Sequence, residues 1–382
     1  MKRLFCALLA LALCVGGVSA GALSVEQNPT LDLKAASTIL MEKETGTVLC
    51  ENNSHQQLEP ASVTKVMTLL LVMEAIDGGQ LSMEDTVTVS ANASGMGGSQ
   101  TYMKEGEQFT VHDMLKCVCV VSANDASVAL AEHLCGSEAS FVDKMNQRAA
   151  ELGMADTVFH NCTGLPTPGH VTSAYDIALM SRELILNHPE IREFTTIWMD
   201  SIRDGAFGLA NTNKLIRYYE GATGLKTGST DAAGYCLSAT AERDGMELIA
   251  VVMKASTTGD RFETAKTLLN YGFATYAMVE AQPGEVLPPV AVLMGERDWV
   301  QPVASGGGRI LVRKADQGRI TTEIQLQEDV EAPVEQGQKL GELIVLVDGT
   351  EETRIPITAS EEVTRLTFPG VFCRLLETLL GK

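Results

Sequence analysis

Residues 60–73 predict a helix that a folded domain has to bury. Pro60 favours the start of a helix, because its missing N–H would have no partner there. The run Val66–Met73 that follows is apolar nearly all round, which is typical of a helix enclosed by other elements. Ser62 and Lys65 are three residues apart, so a helix places their side chains on the same face. The sequence therefore predicts a hydroxyl and an amine side by side at the mouth of a buried helix.

This pairing matters chemically because serine is a weak nucleophile until a base lies beside it. A lysine whose pKa has been lowered can be that base. The pattern S-x-x-K is short, however, and taken alone it is also what an ordinary helix start looks like. Its meaning depends on what else the chain contains.

The composition limits the class of protein. The chain has 382 residues, with 20% charged and 45% apolar residues, which indicates a soluble globular protein long enough for two domains. Its formal net charge of -20 argues against nucleic acid as a partner, because such binding needs a basic face. The nine cysteines contain no C-x-x-C pair, so they indicate neither a zinc site nor a disulfide framework, although one disulfide stays open. The sequence implies no metal and no organic cofactor.

The first residues have the pattern of a secretory signal. A positively charged start is followed by an apolar core over Leu4–Val15 and by small residues at Val18–Ala20. The apolar core is too short to span a bilayer comfortably. Lipidation at Cys14 is an alternative, but Leu13 fits poorly before a lipidated cysteine. We therefore predict a signal peptide at residues 1–20 and a mature protein that works outside the cytoplasmic membrane.

A second pattern lies at a corner between two predicted helices. Val111–Cys119 and Ala126–Leu134 have helical patterns, and Ser122-Ala123-Asn124 stands between them. A serine and an asparagine at such a corner offer a hydroxyl and an amide outside both helical hydrogen-bond ladders. Helix capping is the alternative, because both residue types are good N-caps.

A third pattern is Lys226-Thr227-Gly228, on or just before a strand. Gly234–Thr240 and Glu247–Met253, which follow it, are predicted strands. Gly228 has no side chain, so another backbone could approach that strand edge and pair with it. The alternative is a solvent-facing lysine in a turn.

In this order, the motifs S-x-x-K, S-x-N and K-T-G resemble the signature of the serine-type D-alanyl-D-alanine carboxypeptidases, the low-molecular-mass penicillin-binding proteins. The middle motif has Ala123 where that signature has Asp. Further segments also fit the family's pattern: Pro60–Thr68, Asn161–Pro166, Asn211–Leu215, Gly224–Gly228, Arg261–Phe262 and Leu268–Phe273. The resemblance covers roughly residues 30–280, and ordered motifs multiply their improbabilities.

The resemblance implies a fold of the α/β (α+β) class, as in the penicillin-binding and β-lactamase-like transpeptidases. An antiparallel sheet would be flanked by helices and accompanied by a helical subdomain. We place this catalytic domain at residues 30–282. The implied activity is removal of the terminal D-alanine from peptidoglycan stem peptides that end in D-Ala-D-Ala, with β-lactams as inhibitors that acylate the enzyme.

The resemblance also implies roles in the reaction. Ser62 would attack the carbonyl between the two D-alanines and become acylated, and Lys65 would take its proton. That step requires a neutral amine, and both burial and the nearby cation of Lys226 would lower the pKa of Lys65. Ser122 would relay a proton to the leaving amine. Asn124 would hold Lys65 and the amide of the substrate in place.

Other residues would bind the terminal carboxylate of the substrate and the oxyanion that forms at the attacked carbonyl. Lys226 and Thr227 would receive the terminal carboxylate, with Arg261 as a helper. Gly228 would leave room for the substrate backbone at the strand edge. The backbone N–H groups of the nucleophile and of Ser229 would form the oxyanion hole.

Two alternatives stay open at this point. Glu183–Asn187 matches the E-x-x-L-N box with which class A β-lactamases activate a hydrolytic water. It lies in a predicted amphipathic helix, Ser173–Leu186, where an exposed glutamate needs no special role, and it comes later in the chain than that family would place it. The other alternative is a catalytically silent penicillin-binding sensor, against which the intact motifs argue.

Beyond Gln282 the pattern changes from helices to strands. Ile320–Gln327 alternates between apolar and polar residues, and Glu342–Val347 and Arg354–Thr358 are also predicted strands. We predict a small all-β domain, a sandwich, at residues 284–367, without a catalytic constellation of its own. It would act as a spacer or platform.

The last segment, residues 369–382, predicts an amphipathic helix. Its apolar residues recur at helical spacing: Val371, Phe372, Leu375, Leu376, Leu379 and Leu380. The helix is too short to span a bilayer, and its basic charge is modest. The resemblance implies that residues 371–382 lie on the membrane surface. Docking on the β domain or on another subunit is the alternative.

Overall fold

The computed structural model describes residues 30–284, 286–304 and 309–380, including the backbone of 373–378. The predicted signal peptide at residues 1–20 lies outside the described residues. The described residues divide into two compact units, one made of residues 30–280 with 309–318 and the other of residues 281–284, 286–304 and 319–380. The predicted change from helices to strands near residue 282 therefore lies close to residue 281, where the chain first passes from one unit to the other.

A five-stranded antiparallel sheet is the centre of the first unit. Its strands, in spatial order, are Val48–Asn52, Ser37–Glu42, Met246–Ala255, Gly234–Arg243 and Ala222–Thr230. The strands predicted at 234–240 and 247–253 are thus present. The Lys-Thr-Gly motif lies within the last strand, at the edge of the sheet, and not in a turn.

Helices pack on this sheet because successive residues of a strand point to opposite faces. Ile39 belongs to the same core as the first helix, Lys65–Asp77. Leu40 points the other way, toward Gly272 of helix Thr258–Thr275, where an added Cβ would lie 2.9 Å from Leu40 Cδ2. The antiparallel sheet flanked by helices that the resemblance implied is confirmed.

Further helices and two short hairpins complete the first unit. The helices are Lys65–Asp77, Ala91–Ser94, Val111–Val121, Asn124–Cys135, Glu138–Glu151, Ala174–Asn187, Arg192–Thr195, Leu215–Tyr218 and Thr258–Thr275. The hairpins pair Thr86–Thr88 with Gln108–Thr110 and Met199–Ile202 with Phe207–Ala210. The first helix is buried along nearly its whole length, as its apolar run predicts.

One strand returns to the first unit after the chain has left it. Arg309–Arg313 pairs antiparallel with Tyr276–Glu280, the strand that follows the last long helix of this unit. The sequence analysis assigned residues 309–313 to the C-terminal β domain, because a short apolar run such as 310–312 does not say which partner the strand pairs with.

The second unit is built mainly from strands. Three of them, Trp299–Val300, Val290–Leu293 and Asp329–Glu331, form one sheet, and four others, Pro302–Ala304, Thr350–Ala359, Lys339–Val347 and Ile320–Leu326, form a second. A small apolar cluster includes Val292, Leu340 and Ala359. The predicted all-β character is confirmed, and helix Phe368–Leu379 follows it.

Across the residues that the structure describes, no helix is both long and apolar enough to cross a membrane.

The cysteines of the first unit are small buried residues, except Cys135, which is half-buried. Within the described residues, Cys50, Cys117, Cys119, Cys135, Cys162 and Cys236 are free thiols. Burial raises the pKa of Cys119 to about 12, so its thiol stays protonated at neutral pH.

Candidate active site

We name Ala61–Thr64 the nucleophile turn, after the predicted nucleophile Ser62, and it leads directly into the first helix. It is a 3₁₀ turn, and the α-helix begins at Lys65, whereas the sequence predicted one continuous helix through Ser62. Side chains three residues apart eclipse in 3₁₀ geometry, so the predicted contact forms all the same. The Nζ atom of Lys65 donates to Ser62 Oγ at 3.0 Å.

The amine of Lys65 is held by two further acceptors. Its Nζ donates to Asn124 Oδ1 at 2.6 Å and to the carbonyl oxygen of Thr163 at 2.7 Å. The side chain is fully buried. Burial is the main cause that holds the pKa of Lys65 well below its usual range, and the charge of Lys226 lowers this pKa further, while Asp125 acts in the opposite direction.

Ser122 occupies an unusual backbone position. It ends helix Val111–Val121 with φ 62°, in the left-handed region, and is almost fully buried. Its Oγ has no hydrogen-bond partner in the described part of the chain. Neither Ser122 nor Asn124 caps a helix with its side chain, because the residue before helix Asn124–Cys135 is Ala123. The capping interpretation of this motif is therefore wrong.

A loop fixes the orientation of the Asn124 amide. Asn124 Nδ2 donates to the carbonyl oxygen of Gly97 at 2.7 Å, which leaves Oδ1 facing Lys65. The backbone N–H of Asn124 donates to the carbonyl oxygen of Ser99 at 2.7 Å. The loop is itself held by Asp125, whose buried carboxylate accepts hydrogen bonds from the backbone N–H groups of residues 101 and 103.

Gly228 brings the third motif against the nucleophile turn. A Cβ at this position would lie 2.8 Å from the backbone nitrogen of Ser62, and 2.9 Å from both the carbonyl oxygen of Pro60 and the backbone nitrogen of Val63. Real Cβ atoms do not approach backbone so closely, so only glycine allows this contact. The close backbone approach that the sequence predicted at Gly228 therefore involves the chain's own nucleophile turn.

Lys226 and Thr227 lie side by side on this edge strand. Both are almost fully buried, and Lys226 Nζ donates to the carbonyl oxygen of Thr227 at 2.9 Å. Thr227 Oγ1 lies 2.7 Å from Thr212 Oγ1. Burial lowers the pKa of Lys226 to about 7, and the guanidinium of Arg261 contributes to the lowering.

Arg261 lies behind the same strand. Its Nη1 donates to the carbonyl oxygens of Gly228 at 3.2 Å and Cys236 at 3.3 Å, so it ties two neighbouring strands together. Burial lowers its pKa to about 10, and the group remains a cation at neutral pH. Ser229, next on the strand, is exposed, and no side-chain contact links it to the other predicted site residues.

The glutamate of the E-x-x-L-N segment is engaged elsewhere. Arg148 Nη2 donates to Glu183 Oε1 at 2.5 Å, and the same guanidinium binds Glu74 at 2.7 Å. No contact joins Glu183 to Ser62 or Lys65 among the described residues. The helix containing it is present, at Ala174–Asn187.

Besides the carbonyl oxygens of Gly97 and Ser99, the sequence analysis missed three contributors to the site. The carbonyl oxygen of Thr163 and the side chains of Asp125 and Thr212 contact predicted site residues or their supporting loop. Thr163 and Thr212 lie in segments that the resemblance had already marked, and that signal could have found them. In the described part of the chain, no cluster of three or more His, Cys, Asp or Glu side chains could hold a metal ion.

Two family models match this chain. The model of D-alanyl-D-alanine carboxypeptidase, peptidase family S11, matches residues 23–257, which is more than half of the sequence. The model of the C-terminal domain of penicillin-binding protein 5 matches residues 275–365. The first match covers the part of the chain with the five-stranded sheet and its helices, and the second covers the part built mainly from strands.

Individual relatives agree with these matches. D-alanyl-D-alanine carboxypeptidase DacF of Bacillus subtilis is 42% identical over 343 residues, which cover 88% of this chain and 87% of the relative. DacC of Escherichia coli, of the same activity by name, is 33% identical over 357 residues, or 90% of this chain and 87% of the relative.

Solved structures agree as well. Penicillin-binding protein 5 of Haemophilus influenzae superposes with a TM-score of 0.77 at 29% identity, covering 89% of this chain and all of that one. Penicillin-binding protein D2 of Listeria monocytogenes, in its ampicillin-bound form, superposes with a TM-score of 0.59 at 35% identity, covering 64% of this chain and all of that one. None of these matches favours the β-lactamase or the silent sensor. The chain belongs to the D-alanyl-D-alanine carboxypeptidase family and is a serine-type carboxypeptidase of that specificity.

Proposed function

We propose that Ser62 is the acylated nucleophile and that Lys65 is its base. The observation that carries this proposal is the 3.0 Å contact between Lys65 Nζ and Ser62 Oγ, made by a fully buried amine. Ser62 Oγ attacks the carbonyl carbon of the D-Ala-D-Ala bond while its proton passes to Lys65 Nζ. The lowered pKa of Lys65 supports this step, because only the neutral amine can accept a proton.

The remaining steps use Ser122 and two backbone donors. The N–H groups of Ser62 and Ser229 stabilise the oxyanion of the tetrahedral intermediate. When the C–N bond breaks, Ser122 Oγ passes its proton to the departing amine and takes up the proton that Lys65 Nζ received from Ser62, so that Lys65 is neutral again. The lack of a described partner leaves Ser122 Oγ available for this. Water then attacks the acyl carbon while Lys65 Nζ accepts its proton, and the ester C–O bond breaks as Lys65 gives that proton to Ser62 Oγ, which restores the hydroxyl.

The terminal carboxylate of the substrate binds to Lys226 and Thr227. A cation and a hydroxyl on one strand edge can both donate to a carboxylate. Arg261 adds positive charge from behind the strand and keeps Gly228 in place through its carbonyl oxygen. Asn124, already fixed by its loop, holds Lys65 and donates to the amide carbonyl of the substrate.

β-Lactams present a strained amide and a carboxylate to the same groups. The Listeria protein D2, which shares this fold, has been solved in an ampicillin-bound form. We infer that β-lactams acylate Ser62 of this chain in place of the stem peptide. Glu183 is paired with Arg148, so it is not placed to activate a hydrolytic water as the corresponding glutamate of a class A β-lactamase would.

We expect the chain to release D-alanine from a peptide that ends in D-Ala-D-Ala, measured by a coupled D-amino-acid oxidase assay. A silent sensor would bind the peptide and release nothing. A β-lactamase would instead turn over nitrocefin many times with a short-lived acyl-enzyme. Either of those results would contradict the assignment, and a peptide ending in L-Ala-L-Ala serves as the control substrate.

We propose that the chain works outside the cytoplasmic membrane, with residues 30–282 as the catalytic domain and 284–367 as a platform. The leader pattern at residues 1–20 supports export. Residues 369–382 would lie on the membrane surface. Large apolar side chains near both ends of the helix support this, because Phe368, Phe372, Leu379 and Leu380 are exposed.

Deletion of residues 371–382 is expected to move the exported protein from the membrane fraction to the soluble fraction. The physical reason is that the exposed apolar side chains provide the burial energy for interfacial binding. Flotation with liposomes measures it, and replacement of Phe372 and Leu379 by serine in the full chain is the milder comparison. An unchanged bound fraction after the deletion would remove this idea.

Lys226→Met is expected to stabilise the folded protein below about pH 7 while lowering its carboxypeptidase activity. The pKa of Lys226 is about 7 in the folded state and 10.5 in the free side chain, so folding is opposed most fully below pH 7 and not at all above 10.5. The midpoint of thermal unfolding should therefore rise by a few degrees at pH 6, and the gain should shrink as the pH approaches 10. The value of kcat/KM for peptide should fall about 100-fold.

The matched control is Lys104→Met, because Lys104 is an exposed lysine of the same unit. It should leave both the unfolding midpoint and kcat/KM nearly unchanged. A loss of stability in Lys226→Met at pH 6 would contradict the prediction, because it would show that the folded protein stabilises the charged form of Lys226.

A further inference from the structure

His170 is a buried histidine whose two ring nitrogens are both engaged. Only 3% of the residue is exposed. Its Nδ1 accepts a hydrogen bond from the backbone N–H of His160 at 3.0 Å, and its Nε2 lies 2.8 Å from Thr64 Oγ1. Because Nδ1 is an acceptor, the proton of the neutral ring is on Nε2, which donates to the hydroxyl of Thr64.

Thr64 is part of the nucleophile turn, between Ser62 and Lys65. On this side the turn packs directly on Gly164, where a Cβ would lie 1.8 Å from the carbonyl oxygen of Ala61 and 2.8 Å from Thr64 Oγ1. The turn and the segment around Gly164 therefore touch without any space between them. The neighbouring residue, Thr163, supplies the carbonyl oxygen that accepts from Lys65.

The loop that contains Thr163 is closed at His170. The ring accepts from residue 160 at the start of the loop, and the backbone N–H of His170 donates to the carbonyl oxygen of Thr167. Within the loop, Asn161 Oδ1 accepts from the backbone N–H groups of Thr163 and Gly164. One imidazole thus joins the loop to the nucleophile turn.

We propose that His170 is a positioning residue: it holds the Thr163 carbonyl against the nucleophile turn, so that Lys65 Nζ stays directed at Ser62 Oγ. This inference rests on the proposed function, because the aim of the amine matters only if Lys65 is the base. Burial lowers the pKa of His170 to about 4, and His160 contributes, so the ring keeps its single-donor form where the enzyme works. A purely structural role, packing against Phe159 at 5.8 Å between ring centroids, is the alternative.

Two substitutions separate the two hydrogen bonds of the ring. In His170→Gln the amide nitrogen takes the place of Nε2 and can still donate to Thr64. In His170→Asn the amide oxygen takes the place of Nδ1 and can still accept from residue 160, but nothing reaches Thr64. We expect acylation by a fluorescent penicillin to be about tenfold slower in His170→Asn and within about threefold of wild type in His170→Gln. For peptide hydrolysis, kcat should fall and KM should stay.

Thermal unfolding separates positioning from structure. Both variants lose one hydrogen bond, so their unfolding midpoints should be similar while their acylation rates differ. Equal rates in the two variants, or rates that simply follow the unfolding midpoints, would overturn the proposal.

Thr64→Val provides a second and independent arm, with Thr64→Ser as the control that keeps the hydroxyl. In the Thr64→Val background, His170→Asn should slow acylation no further, because the bond it breaks is already absent. If the two substitutions slowed acylation independently, so that their separate fold-losses multiplied in the double variant, the proposal would be contradicted. Mass spectrometry of the wild type distinguishes the two levels of failure: an adduct away from Ser62 overturns the proposed function, whereas an adduct on Ser62 with unaffected His170 variants overturns only this inference.

Discussion

Lys65→Met is expected to slow the acylation of Ser62 by penicillin about 1,000-fold, measured by stopped-flow fluorescence. Methionine fills a similar volume but cannot accept the proton from Ser62 Oγ, and Lys65 Nζ is the only basic group of the described residues that contacts this oxygen. The wild-type rate should rise with pH through the pKa of Lys65, which burial and Lys226 hold well below that of a free lysine. In Lys65→Met that pH dependence should disappear.

Lys65→Arg is the control that separates basicity from positive charge. A guanidinium stays protonated at any working pH, so this variant keeps a cation but supplies no base. It should be as slow as Lys65→Met. Acylation within tenfold of wild type in either variant would mean that another group removes the proton.

The site combines two buried amines at a cost in stability. Lys65 and Lys226 are both almost fully buried, and the charge of Lys226 lowers the pKa of Lys65. Asp125 opposes this effect at Lys65 without touching it. Such an arrangement is typical of an active site, where groups are held in states that folding alone would not favour.

Those parts of the site that depend on side-chain chemistry could be predicted from the sequence. The order of S-x-x-K, S-x-N and K-T-G indicated the family, and the structure brings Ser62, Lys65 and Asn124 into direct contact. The lack of a side chain at Gly228 predicted a close backbone approach, and Ser62 N provides it. In each case the residue type itself limits what can lie beside it.

Contributions from the backbone could not be predicted in the same way. Every residue type has a backbone carbonyl oxygen, so the residue type at position 163 does not predict that this oxygen accepts a hydrogen bond from Lys65. The same reason applies to Gly97 and Ser99, whose carbonyl oxygens fix Asn124. A polar, glycine-rich stretch is also typical of a plain surface loop.

Long-range pairing is the other part that the sequence left open. Strand Arg309–Arg313 is apolar over its three central residues, a pattern that names no partner, and it pairs with Tyr276–Glu280 in the first unit. Which strands become neighbours depends on the packing of the whole domain and not on a local pattern. The 3₁₀ turn at Ala61–Thr64 escaped prediction for a related reason, because close packing on Gly164 and Gly228 shapes it.

Intact-mass spectrometry after penicillin treatment, followed by peptide mapping, tests the central claim most directly. The wild type should gain one covalent penicilloyl group, located on the peptide that contains Ser62. Ser62→Ala should gain none, and its release of D-alanine should fall at least about 1,000-fold, because no other hydroxyl contacts the Lys65 amine in the described part of the chain. An adduct that persists in Ser62→Ala, or one that maps to another residue of the wild type, would contradict the account.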